Sequence, residues 1–193
     1  MGLPPIWRSF AVLLMFLLGA CATPDRLVSI GGLERSGRFV AQVQSPGEPA
    51  ESVQGGFRWQ RTATGWQLDL LSPLGATLAR LDASSGEVTL QQPGQIPRRA
   101  ASASELIADL FGAKMPVDSL EDWIAGAITP GSGVQDVVRD GQSRVVSMRQ
   151  DGWRIRFDRY DSIGPRIMEV TGTDQARSVS LRMVVDSSDP TGL

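Results

Sequence analysis

The chain contains no histidine and only one cysteine, and each scarcity removes a class of function. Without histidine there is no Ser-His-Asp or Cys-His nucleophile, no side chain that titrates near neutral pH unaided, and no imidazole to hold a metal. An enzyme would have to work with carboxylates, Lys114, Tyr160 or arginines. A lone cysteine rules out an intramolecular disulfide, so an exported chain must draw its stability from burial. Charge of one sign is also missing: the net charge is −2 with acids and bases interspersed, which removes the basic footprint of a nucleic-acid binder. Metal-ligand spacings and glycine-rich phosphate loops are absent, so neither a metal nor a cofactor is expected.

Long hydrophobic runs are lacking too. The apolar stretch Phe10 to Leu18 has nine residues, against the ~20 that a spanning helix needs. Arg8 precedes it and Leu18-Gly19-Ala20-Cys21 closes it. A charged start, a short apolar core and small residues at a cleavage site make a signal peptide. Small residues just before the lone cysteine predict the lipoprotein form of that signal. Residues 1–20 are then removed, and Cys21 becomes the N-terminus, carrying a diacylglyceryl thioether and an N-acyl group. Three acyl chains, at ~0.8 kcal/mol per buried methylene, make a permanent anchor. Ala22 is not the aspartate that retains lipoproteins in the inner membrane, which leaves the periplasmic face of the outer membrane as the destination. Residues 21–35, with Pro24, Ser29 and Gly31-Gly32, read as lipidated cysteine and tether. Residues 36–186 then make one domain, and 187–193 a flexible tail.

Within that domain, period-two alternation recurs between turn residues. Phe39, Ala41 and Val43 alternate with Arg38, Val40 and Gln42, Phe57 and Trp59 with Arg58 and Gln60, and Trp66, Leu68 and Leu70 with Gln67, Asp69 and Leu71. The pattern continues through 77–82, 87–91, 144–149, 153–158, 167–171 and 179–185. Short connections such as Thr64-Gly65 and Ser84-Ser85-Gly86 suit antiparallel hairpins. Nine to eleven strands with one apolar face and little helix predict a mainly β fold, a curved sheet closing into a partly open barrel.

Two short helices interrupt the strands. Ser102-Ala103-Ser104-Glu105 is a capping box, followed by the stripe Leu106, Ile107, Leu110 and Phe111 up to Gly112. A second helix is expected from Asp118, with Leu120, Trp123 and Ile124 on its apolar face. Asp118, Glu121 and Asp122 form the densest carboxylate cluster, the only opening for a two-acid hydrolase. Acids at a helix start are better explained by its exposed amides and dipole, so no catalytic residue is assigned. The turn Ser72-Pro73-Leu74-Gly75 is less easily explained. Proline and glycine fit the second and fourth positions of a tight turn, which puts the apolar Leu74 at its tip. There it either folds back over the barrel rim or stands exposed for a purpose.

Trp66 to Leu78, containing Ser72-Pro73-Leu74-Gly75, followed by Pro116 to Gly126, containing Ser119-Leu120-x-x-Trp123-x-x-Gly126, resembles the LolB family of outer-membrane lipoprotein receptors. Tyr160-Asp161 and Pro165-Arg166-Ile167 resemble that family's later strands. The resemblance implies an incomplete antiparallel β-barrel whose short helices cover an apolar cavity. That cavity would accept acyl chains of lipoprotein cargo from the periplasmic carrier LolA for insertion into the outer membrane, the protein acting as a monomer. Passing acyl chains between cavities avoids exposing methylenes to water at ~0.8 kcal/mol each, and needs no covalent chemistry. Phe39, Trp59, Trp66, Leu68, Leu70, Leu106, Leu110 and Trp123 are the candidate cavity and lid residues, Leu74 the membrane-inserting tip, and Cys21 the lipidation site. A β-rich envelope scaffold that binds no lipid is the alternative.

Overall fold

The structure is a computed structural model that describes residues 33–131 and 133–186. The expected signal peptide, Cys21, most of the tether and the tail from 187 lie outside the described residues. Six strands come first: β1 (Glu34–Gln44), β2 (Glu51–Arg61), β3 (Gly65–Leu71), β4 (Thr77–Ser84), β5 (Glu87–Gln91) and β6 (Arg98–Ala100). A helical segment follows, with α1 (Ala103–Phe111), a single 3-10 turn (Val117–Ser119) and α2 (Leu120–Ile124). Five strands complete the domain: β7 (Val134–Arg139), β8 (Val145–Gln150), β9 (Trp153–Tyr160), β10 (Pro165–Asp174) and β11 (Arg177–Val185).

All eleven strands form one antiparallel sheet in the order β6-β5-β4-β3-β2-β1-β11-β10-β9-β8-β7. The chain thus builds outward from β1, crosses from one sheet edge to the other through the helices, and returns strand by strand until β11 lies beside β1. The edges β6 and β7 do not pair, so the barrel is incomplete. Inward residues face one another across the ladders, Trp59 opposite Leu68, Phe57 opposite Leu70, and Leu68 opposite Leu81. Together with Leu106, Ile107, Leu120, Trp123 and Ile124 they make one buried cluster. Two short helices can bury the inner faces of so many strands only if the sheet curls around them.

Beyond the nine strands visible as alternation, the structure adds the two edges, β6 and β7. β6 is three residues long with two arginines, and β7 is exposed along nearly its whole length and broken by register shifts. Short, charged and bulged edges discourage pairing with other chains, and for the same reason carry no alternation to read. The tether reading also extends too far. β1 starts at Glu34, and Arg35 is completely buried. It occupies an inward position of β1, where a buried cation interrupts the apolar alternation that would have marked the strand's start.

Antiparallel pairing fixes which connections share an end. The β1–β2, β3–β4, β5–β6, β8–β9 and β10–β11 connections lie at one end of the sheet, and the β2–β3, β4–β5, β7–β8 and β9–β10 turns at the other. Leu74 sits in the β3–β4 connection.

Candidate functional site

Inward residues of the central strands and the underside of the helical segment meet at an apolar cavity. Its walls are Phe39 and Ala41 of β1, Phe57 of β2, Leu68 and Leu70 of β3, and Leu181 and Met183 of β11. Ile107, Phe111, Met115, Val117 and Leu120 cover it. Its free volume is only about 30 Å³, about one water's share of liquid volume. Phe111 is part of that cover, its ring edge-on to Phe39 with centroids 6.4 Å apart at 84°.

The two halves of the cover are held differently. In α2 the Trp123 indole N–H donates to Gln150 Oε1 at 3.1 Å in a buried contact, and Gln150 Nε2 donates to Ser119 Oγ at 3.2 Å. α1 buries Ala103, Leu106 and Ile107 on its underside, and its polar contacts fasten it from outside. At its start Ser102 Oγ accepts from the Glu105 amide at 3.3 Å, the capping interaction expected from the sequence. Asp118 lies in the 3-10 turn that opens the second helical segment, as expected, but its carboxylate serves the other helix. It accepts from the amides of Ala103 at 2.7 Å and Ser104 at 3.1 Å, capping α1 from the other segment. At the far end Gly112 adopts φ 72° and closes the helix onto the Ala108 carbonyl. Arg177 donates to the Gly112 carbonyl, and Asp174 accepts from the Lys114 amide at 3.1 Å. Arg98 donates to Asp109 at 2.7 Å. Of the other two acids singled out for chemistry, Glu121 is 3.0 Å from Arg61 in an ion pair, and Asp122 is half-buried in the first turn of α2.

Of the cavity candidates named from the sequence, Phe39, Leu68 and Leu70 line this cavity. Trp59, Trp66, Leu106 and Trp123 are buried in the surrounding core, and Leu110 is half-buried against it. Phe57, Ile107 and Phe111 belong to patterns already visible in the sequence. Leu181 and Met183 required knowing that β11 lies beside β1, a pairing between the two ends of the domain. Met115 and Val117 lie in a stretch without periodicity.

The turn before β4 is tightly built. The Gly75 amide donates to the Ser72 carbonyl at 2.9 Å, the Ser72 amide to the Ala76 carbonyl at 2.7 Å, and the Ala76 amide to Ser72 Oγ at 3.1 Å. Gly75 has φ +85°, which glycine adopts without steric cost. Leu74, between Pro73 and Gly75, is 98% exposed. It therefore stands out from the rim rather than folding over it. At the base of the turn Gly55 lets β2 come close: a Cβ there would sit 2.1 Å from the Leu71 carbonyl oxygen. No charged residue lies between Asp69 and Arg80.

Residues 34–187 match the family profile described as "Outer membrane lipoprotein LolB". A protein named outer-membrane lipoprotein LolB from Bordetella petrii is 34% identical over 178 residues, covering 91% of this chain and 89% of its own. One of the same name from Cupriavidus necator is 33% identical over 183 residues, covering 90% and 92%. The solved structure of a LolA superfamily protein from Nitrosomonas europaea superposes with a TM-score of 0.42 at 9% identity, covering 81% of this chain and 88% of that one.

Proposed function

The chain belongs to the LolB family of outer-membrane lipoproteins, and from that premise we propose that it takes the acyl chains of lipoprotein cargo from a LolA-like periplasmic carrier into its apolar cavity and places them in the outer membrane. It is a lipoprotein receptor and not an enzyme. Cys21, bearing diacylglyceryl and N-acyl groups, holds it at the periplasmic face of that membrane as a monomer, and Leu74 touches the bilayer during delivery.

The observation that carries this reading is Leu74, 98% exposed on a turn without charge, at the rim of a domain whose inner cavity has apolar walls throughout. An isolated leucine held in water by a rigid proline-glycine turn gains about 1.5–3 kcal/mol when buried, and a bilayer offers that burial without distorting the fold. The cavity complements it by shielding methylenes that would otherwise cross water. Acyl chains need far more room than about 30 Å³, so loading requires the cover to move. The externally fastened α1, carrying Phe111, is the half that can swing while Trp123 keeps α2 in place.

The test is transfer of cargo from purified carrier to this protein and onward to liposomes. Leu74→Glu folds and accepts cargo as wild type does but delivers at least about tenfold more slowly, the factor that ~1.4 kcal/mol gives. Equal delivery would remove Leu74 from the mechanism. A domain that takes neither cargo nor a fluorescent acyl probe would instead be an envelope scaffold.

A further inference from the structure

Ten ion pairs join the described residues, and every one uses an arginine. Arg149 and Arg154 take part in none of them. They are cross-strand partners on the outer face of β8 and β9, and both are exposed. Like charges directly opposite one another destabilise a sheet, so this pair calls for an explanation beyond folding.

Neighbouring acids do not neutralise it. Asp151, in the turn between the two strands, directs Oδ1 to the Gly133 amide at 2.8 Å. Asp174 is 3.7 Å from Arg177 and accepts from the Lys114 amide. Further along the same face Arg156 lies opposite Glu169, which is held by Arg182. Arg156 is itself in no ion pair, so the uncompensated charge on this face runs from the Arg149–Arg154 pair to Arg156, and it is densest where Arg149 and Arg154 stand directly opposite one another. Both border an open concavity of about 480 Å³ whose other walls include Thr171, Thr173, Ser178 and Ser180. Two guanidinium groups beside a row of hydroxyls offer what a phosphate diester accepts: charge-assisted hydrogen bonds at the edge, with neutral donors around them. The concavity reaches Gly152 in the β8–β9 turn and Ala50 in the β1–β2 connection, at the end of the sheet that also carries Leu74.

We propose that Arg149 and Arg154 form a binding site for the phosphate of an anionic phospholipid headgroup, a polar contact with the bilayer separate from Leu74. This rests on the reading that the Leu74 end of the sheet meets the membrane. The apolar tip enters the leaflet, and the arginine pair engages the headgroup layer from the outer face of the sheet, orienting the barrel.

The experiment is amide hydrogen exchange on the full lipid-anchored chain, in vesicles of phosphatidylcholine alone and with phosphatidylglycerol added. Anionic lipid slows exchange in the β8–β9 and β10–β11 turns by about fivefold or more, the factor one arginine contributes near an anionic surface. Arg149→Gln with Arg154→Gln abolishes that difference and leaves protection of the Leu74 turn intact. Equal exchange in the two lipids, or protection that survives the double substitution, overturns the headgroup site while leaving Leu74 as a membrane tip. Protection of these turns by added carrier rather than by anionic lipid overturns it in favour of a protein-docking face. A Leu74 turn unprotected in every vesicle would instead defeat the reading on which the site rests.

Discussion

Arg35 and Asp161 tie the first strand to the β9–β10 turn: Arg35 Nη1 donates to both carboxylate oxygens of Asp161, at 2.9 and 2.8 Å, while Nη2 donates to the Pro165 carbonyl at 2.7 Å. A cation with no exposure on β1 is thus joined to the turn between β9 and β10, across the intervening β11. Asp161 also accepts from the amides of Ile163 and Gly164 at 2.9 and 3.0 Å, shaping the turn itself.

The pair makes acid stability a direct readout. Burial pushes the Asp161 carboxyl up, but the Gly164 amide, the Arg35 guanidinium and the Ile163 amide outweigh it, and the net effect holds it below its ordinary range. A depressed carboxyl stabilises the fold fully above the unfolded value of about 4 and loses that contribution as pH falls through the folded value. Asp161→Asn leaves a buried guanidinium uncompensated and costs about 3 kcal/mol at pH 7 in urea unfolding, the low end for a broken buried pair because Asp161 is partly exposed. The gap between variant and wild type narrows below about pH 4. A gap independent of pH would show that the carboxylate charge plays no part.

Asp118 offers a second test, because the sequence places it in a carboxylate cluster while the structure makes it a cap. Asp118→Ala frees the amides of Ala103 and Ser104 and lowers stability by about 1 kcal/mol. Asp118→Asn retains an acceptor and loses less. Thermal melts of both variants check the order, and an alanine variant as stable as wild type would show that α1 does not depend on this cap.

Much of this architecture could be read in the chain because half-buried antiparallel strands and capped helices are local patterns. The meander from 37 to 91, the Ser102 cap with its stop at Gly112, and the turn around Leu74 all follow from neighbours in sequence. Long-range pairings leave no such trace. Arg35 looks like tether until Asp161 is placed beside it, and the cavity walls from β11 appear only once β11 is seen next to β1. Large aromatics drew attention as cavity residues, yet Trp59 and Trp123 fill the surrounding core. The space left open is bordered mainly by aliphatic and methionine side chains, whose identities in sequence are indistinguishable from ordinary core.

Gly126, the last residue of the motif that includes Trp123, follows α2 with φ +71°. A Cβ there would stand 2.7 Å from Tyr160 Cε1, and that ring is fixed by its hydroxyl, which donates to the Val145 carbonyl, and by Arg144 4.7 Å from its centroid. Gly126→Ala therefore suffers both left-handed backbone strain and a clash with a ring that has little freedom to yield. A loss of about 1–2 kcal/mol, seen as a melting temperature lower by about 2–8 °C, is expected. An unchanged melting temperature would mean that neither the backbone strain nor the Tyr160 contact costs stability.

Phe111 tests whether the closed cavity is the loading site. Its ring occupies the space beneath the externally fastened end of α1 and packs edge-on against Phe39. An acyl chain must displace that ring, so the favourable burial of the chain is partly offset by the packing that the ring gives up. Phe111→Ala removes the competitor. It lowers the stability of the empty protein, by less than the 3–5 kcal/mol of a fully buried phenylalanine because Phe111 is only half-buried. It also tightens binding of a fluorescent fatty-acyl probe, by up to about tenfold if ~1.4 kcal/mol of ring packing no longer has to be broken. Tighter holding slows release to liposomes even though Leu74 is untouched, a signature that separates this variant from Leu74→Glu, in which acceptance is normal. Probe binding that weakens or stays the same in Phe111→Ala would place the acyl chain elsewhere in the domain.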